Sequence, residues 1–117
     1  DRSSLISNNI EGVSNGIRLL SSKLRNKGRF IAIDWFSEHH EGFNSGEIVD
    51  KQTRNNFPKD SDFSGIGKIH FCNKEYLTQI FSKENLKLIY IEHKIIESDT
   101  YQDHKIKAFW NFVCEKK

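Results

Sequence analysis

KGRFIAIDWF, residues 27–36, is the stretch on which the fold turns. Phe30, Ile31, Ile33, Trp35 and Phe36 form a short apolar run whose β-branched and aromatic side chains predict a strand, and its lack of strict alternation predicts burial on both faces, as in a parallel sheet. Ahead of it, Ile10, Val13, Ile17, Leu20 and Leu24 recur every three or four residues, the stripe of an amphipathic helix. Asn8 or Asn9 suits its cap, Lys23, Arg25 and Lys27 lie near its negative end, and Gly28 stops it, which predicts a helix over 9–27. Behind the strand, residues 37–72 carry Gly42, Gly46, Gly65, Gly67 and the only proline, Pro58, among polar side chains. They are expected to form a long loop or lid insertion with little regular structure. Asn73 then caps a short helix over 73–83 with Tyr76, Leu77, Ile80 and Phe81 on one face. LKLIYIEHKII at 86–96 and KIKAFWNFVCE at 105–115 read as two strands joined by a polar turn, hence an antiparallel hairpin. Helix, buried strand, long loop, helix and strand pair together make an α/β chain.

The composition narrows the function classes. The chain has 117 residues, and 18 Lys and Arg against 16 Asp and Glu leave a net charge of +2. That is one domain's length, and its dispersed charge argues against a nucleic-acid partner. Apolar residues at 36% and aromatics at 12% suffice for a packed core. No apolar run approaches the roughly 20 residues of a bilayer span, so no membrane partner is expected. Cys72 and Cys114 are too few to staple a secreted fold, and a reducing cytoplasm is the expected compartment. With no methionine and Asp1 at its start, the sequence reads as a fragment or processed piece.

In an open α/β sheet, ligands lie outside the carboxyl ends of the strands, where loops converge. Two segments qualify: Asp1, Arg2, Ser3 and Ser4 before the first helix, and Asp34, Trp35, Ser37, Glu38, His39 and His40 at the end of the buried strand. His39 and His40, flanked by Glu38 and Glu41, have the residue type for a general base near neutral pH. Neighbouring side chains in a loop diverge, so no metal site is expected from them. His70 and Cys72 suit packing, and His93 suits a hydrogen bond at a sheet margin. Arg54, Asn55 and Asn56 offer one forked cation and two amides, a set that suits a small polar or carboxylated ligand. Trp35 or Phe36 has a ring that can face a cation.

The strings DRSS before the first helix, KGRFIAIDWFS, TRNNF, SGIGKIHF, YIEHKIIE and AFWNFV resemble the C-terminal half of a class I S-adenosylmethionine-dependent methyltransferase, of the type 11 small-molecule group. The likeness runs over nearly all of the chain. It implies the C-terminal part of a Rossmann-like methyltransferase sheet, with 29–36 as the fifth strand and 105–115 as an antiparallel seventh strand between the fifth and sixth. It further implies S-adenosylmethionine as cofactor, bordered by Asp1, Arg2 and Ser3, and a small-molecule acceptor facing the Asp34–His40 rim beside Trp35 and Glu38, with His39 or His40 taking the acceptor's proton. Arg54 and Asn55, from their residue types alone, are expected to help bind that acceptor. The family's glycine-rich cofactor loop and its ribose-binding acid have no counterpart in these residues, and Gly65–Ile66–Gly67 does not sit between a strand and a helix. The isolated chain is therefore expected to be inactive. The alternative is a non-enzymatic α/β binding or assembly module, forming a homo-oligomer through the exposed edge of the Ile31, Ile33, Phe36 strand.

Overall fold

A computed structural model describes all 117 residues. The helix that opens the chain, α1 (Ile10–Lys23), is capped twice: the Asn9 side chain accepts from the Gly12 amide, and the Asp50 carboxylate accepts from the Ile10 amide at 2.9 Å. It ends four residues earlier than the charge pattern predicted, because Leu24 is extended and Lys27 turns left-handed at φ +68° before Gly28. Strand β1 (Arg29–Phe36) follows with the predicted limits.

Its environment differs from the expectation. Phe30, Ala32 and Trp35 face the core while Ile31 and Ile33 are 54% and 42% exposed, so β1 is covered on one face. Its strand partner runs antiparallel, and its only parallel neighbour is a single bridge between Arg2 and Ile33. An apolar run without alternation thus marks here a sheet whose second face lies open.

Residues 37–72 are more ordered than a loop. They hold three short strands, β2 (Glu47–Asp50), β3 (Thr53–Asn55) and β4 (Ile69–His70), in a small antiparallel sheet of that order. Phe57, Phe63, Ile69 and Phe71 give this sheet a second hydrophobic cluster of its own. Strands of two to four residues carry too little periodicity to be read from sequence, and the phenylalanines rather than any alternation hold them. The base of the excursion is tied shut. Cys72 donates its amide to the Phe36 carbonyl at 2.8 Å, and Glu38 donates to the Cys72 carbonyl at 3.0 Å.

Helix α2 (Lys74–Ser82) starts at the predicted Asn73 cap, whose side chain accepts from the Tyr76 amide. Strands β5 (Leu86–Asp99) and β6 (His104–Lys116) form the predicted hairpin; β5 starts where the pattern placed it and runs on three residues toward the turn, and β6 is one residue longer at each end. The main sheet has the order β1-β6-β5, with β6 between the other two as the resemblance implied. Both helices cover one of its faces: Val13 and Ile17 of α1 and Leu77, Ile80 and Phe81 of α2 meet Phe30, Ala32, Trp35, Phe112 and Cys114. No helix is long and apolar enough to cross a membrane.

Candidate functional site

The carboxyl end of β1, residues 1–4 and the base of the excursion meet at one rim of the sheet, and a bulge shapes it. Between Ala32 and Trp35, β1 has one residue more than β6, so Ile33 and Asp34 together oppose Asn111. Asp34 absorbs the difference at φ +57°, a left-handed conformation that costs a non-glycine residue about 1–2 kcal/mol. Neighbours hold it there. The Asn111 Oδ1 accepts from the Asp34 amide at 2.8 Å, and the Ser3 hydroxyl donates to the Asp34 carbonyl at 2.8 Å. The Asp34 carboxylate receives Lys94 Nζ at 2.8 Å and Arg2 at 3.3 Å. The hydrogen bond from Lys94 is the largest of the effects that hold this carboxyl below its ordinary range. Strained backbone at a loop-lined rim, fixed by a polar cluster, is a common mark of a functional position.

Asp1, Arg2 and Ser3 are thus spent within the chain. Asp1 donates its amine to the Ile31 carbonyl, and its carboxylate accepts from the Trp35 indole at 3.0 Å and from the Ser4 hydroxyl. Trp35 itself is fully buried, with ring centroids of Phe112 and Phe81 at 5.0 and 6.0 Å. It has no surface to offer an acceptor.

Past the bulge, the Ser37 Oγ lies 2.8 Å from His93 Nε2 and accepts from the His39 amide at 3.1 Å. The His93 ring stacks on Trp110 with centroids 3.9 Å apart, and His39 stands edge-on to His93 at 5.1 Å. Burial, and after it the neighbouring His39, holds the His93 imidazole below its ordinary value. Serine, histidine and a hydrogen bond resemble a nucleophile with its base, but Ser37 has no exposed surface. This pair is structural.

His39 and His40 part company, as adjacent loop residues do. His39 is exposed, with a free imidazole on the rim. His40 is 3% exposed and packs among Phe36, Phe63 and Phe109. Its Nδ1 accepts from the Gly42 amide at 3.0 Å, which leaves the proton of the neutral ring on Nε2. Burial lowers its pKa and so favours the neutral ring. In this tautomer the Nε2–H of His40 can donate a hydrogen bond, while its Nδ1 is already engaged by Gly42. It forms one wall of a cleft of about 200 Å³ that Glu41, Asp60, Asp62, Phe63 and Lys105 also line.

Glu38 lies on the other side of the rim, where one carboxylate oxygen accepts from the Gln52 and Asn73 amides, each at 2.8 Å. Its second oxygen has no protein donor among these bonds. Arg54, in contrast, is spent: its guanidinium donates to the Phe43, Asp50 and Thr53 carbonyls and lies 4.0 Å from the Phe43 ring. It staples the small sheet, and at 8% exposure it cannot greet a carboxylated ligand. Asn55 ends β3, half-buried, beside Phe57, Gly65 and Gly67 and away from the rim histidines.

A chain of polar side chains ties the excursion to α2. Thr53 Oγ1 is 3.0 Å from His70 Nδ1, and His70 Nε2 is 2.7 Å from the Tyr76 hydroxyl. Burial pushes the His70 imidazole down to about 4. No group of three or more His, Cys, Asp or Glu side chains is placed to share a metal ion.

Sequence reasoning missed Asn111, Lys94, Gln52 and Asn73 as partners of the rim. Asn111 is a lone amide within an apolar strand, a signal that was present; the others carry none, since only the bulge and the return of the excursion bring them there.

No protein-family model and no curated protein matches this sequence. Among solved structures, a SAM-dependent methyltransferase from Methanosarcina mazei matches with a TM-score of 0.67 over 99% of this chain, at 13% identity. The fold is methyltransferase-like. This chain spans 57% of that structure's length.

The residues of this methyltransferase-like fold do not themselves build a cradle for the nucleoside cofactor. No glycine-rich turn joins a strand to a helix, since the first glycine after residues 1–4 is Gly12, inside α1 against Asn8. Gly65 and Gly67, at φ +75° and +97°, have nothing within 4 Å of where a Cβ would stand, so they are surface turns and not a cradle. The Asp1 carboxylate is taken by Trp35 and Ser4 and is not free to hold ribose hydroxyls.

Proposed function

We propose that this chain supplies the acceptor-facing side of an S-adenosylmethionine-dependent methyltransferase acting on a small molecule, the cofactor cradle being made by polypeptide outside these 117 residues. The superposition of 99% of the chain on a SAM-dependent methyltransferase carries the reading. The position of the excursion supports it, because an insertion tied at the carboxyl end of β1 stands where an open α/β sheet takes its ligand. In methyl transfer most of the rate comes from holding two reactants in line and close together, so the rim's task is positioning. Within that rim His39 is the residue for accepting a proton from the acceptor, since its imidazole is exposed and free of ring hydrogen bonds. Glu38, steadied by Gln52 and Asn73, presents its second oxygen to a donor on the acceptor. His40 positions the loop through Gly42.

The test has two arms. Calorimetric titration of S-adenosylmethionine into the chain alone is expected to give no saturable heat, and tight binding would overturn the division of labour proposed. In a polypeptide that also carries the glycine-rich loop, His39→Ala is expected to lower methyl transfer at least tenfold with cofactor affinity unchanged, within the range of general-base contributions. Unchanged turnover removes His39 from the reaction. Codons ahead of Asp1 that encode no strand and no glycine-rich loop would sink the enzyme reading.

A further inference from the structure

The assembly edge expected from the sequence was that of β1, but residues 1 and 2 already lie along it: Asp1 donates to the Ile31 carbonyl and accepts from the Ile33 amide. The other edge of the sheet is β5, which pairs with β6 on one side and with nothing on the other. It is a 14-residue strand with Tyr90, Ile95 and Ile96 at 53%, 51% and 43% exposure. A long, apolar, unpaired edge is a template for another strand.

We propose that β5 pairs with β5 of a second copy of this chain, antiparallel, about a two-fold axis through His93. Backbone donors and acceptors alternate between the two sides of a strand, so residues opposite one another must turn theirs either both toward the partner or both away from it. A symmetric pair therefore has its axis through a residue, never between two. That leaves few registers over the regular stretch that follows the bulge between Leu88 and Tyr90.

Centring on His93 sets Glu92 opposite Lys94 twice, Ile91 opposite Ile95 twice and Tyr90 opposite Ile96 twice. Centring one residue earlier sets Glu92 against its own copy, and one residue later sets Lys94 against its own copy. Like charges directly opposite repel, and opposite charges attract. Charged side chains on an edge usually keep strands apart, and here they select the one register in which they complement each other.

The faces agree with this pairing. Tyr90, Glu92 and Lys94 share the open face, shown by the Tyr90 hydroxyl on Glu92, the Asn111 amide on Glu92 and Lys94 on Asp34. His93 lies on the helix side, stacked on Trp110. Pairing would join two three-stranded sheets into one of six strands, in which Ile95 and Ile96, exposed in the single copy, gain apolar neighbours.

Sedimentation equilibrium on the purified chain tests this. The expected result is a reversible dimer that Lys94→Glu and Glu92→Lys each weaken about tenfold or more, because each turns two attractive pairs into two repulsive ones. The doubly swapped E92K/K94E chain regains the dimer, since lysine and glutamate again face each other. Circular dichroism and the urea midpoint report whether each variant folds, and Ile96→Lys, at a side chain without polar partners, provides an independent way to weaken the same pairing. A wild-type chain that stays monomeric at millimolar concentration overturns the proposal. So does association indifferent to these charges, or a double swap without rescue, either of which assigns self-association to another surface such as the Ile31 and Ile33 face. None of these readouts depends on cofactor binding, so failure here leaves the methyl-transfer reading standing.

Discussion

Trp35→Ala is expected to cost about 3–5 kcal/mol of folding stability, the range for removing a large buried aromatic side chain. The indole is the hub of the core between β1, α2 and β6: its ring meets Phe30 and Phe112 edge-on and Phe81 at a tilt. Its N–H also satisfies the Asp1 carboxylate, so truncation opens a cavity and strips a hydrogen bond that ties residues 1–4 to the rim. Domains of this size have about 5–15 kcal/mol in total, so the variant loses a large fraction of what it has. Urea unfolding checks it: the midpoint should fall with the slope unchanged. Trp35→Phe refills most of the cavity and is expected to cost about 1–3 kcal/mol, mainly the orphaned Asp1 contact and the smaller ring. A Trp35→Ala chain as stable as the parent would show that the ring is not buried, and would restore it as a candidate for contact with an acceptor.

Acidification should remove about 3 kcal/mol of stability between pH 6.5 and pH 4, through His70. Its pKa falls from an ordinary 6.5 to about 4 because the ring is enclosed. Above pH 6.5 the imidazole is neutral in both the folded and the unfolded chain and contributes no pH dependence. Between 6.5 and 4 the unfolded chain takes up a proton that the folded chain refuses, so the equilibrium moves toward unfolding as the pH falls. Below about 4 the penalty is complete. His40, also lowered by burial, acts in the same direction at the upper part of this window. Asp34 and Asp50 are held below their ordinary carboxyl value, so their stabilisation is present at neutral pH and begins to fade only as the pH approaches 3.8 from above, toward the acid end of the histidine window. Urea midpoints from pH 7 to pH 4 measure the slope. His70→Gln is expected to be less stable at pH 7, with Thr53 and Tyr76 less well paired, yet to lose most of that slope. A variant with the parent's slope would assign the acid sensitivity elsewhere.

Much of the scaffold was legible along the chain. The limits of β1, the Asn73 cap and the hairpin follow from local preference: runs of β-branched and aromatic residues, an amide ahead of a helical stripe, a polar turn between two strands. Each is a statement about neighbours within ten residues, and the surroundings did not override it. The candidate site was legible only as a place. Residues 34–40 do form the rim, but which of them are available there depends on partners 14 to 77 positions away, on Asn111 and Lys94 for Asp34 and on Gln52 and Asn73 for Glu38. Nor could composition tell His39 from His40, or Arg54 as a ligand-binding fork from Arg54 as a staple, because each pair of readings uses the same residue type and differs only in what the fold packs around it.

Periodicity and capping chemistry in the sequence alone set the two helices, the β1 strand and the hairpin, since those signals act over one turn or one strand and need no distant partner. Tertiary structure decided the rest: that β1 is covered on one face and not two, that phenylalanines gather the excursion into a small sheet, that Trp35, His40 and Arg54 are enclosed, and that β5 is the edge left without a partner. Burial, backbone register and hydrogen-bond partnership are properties of segments brought together from far apart, and no local pattern carries them.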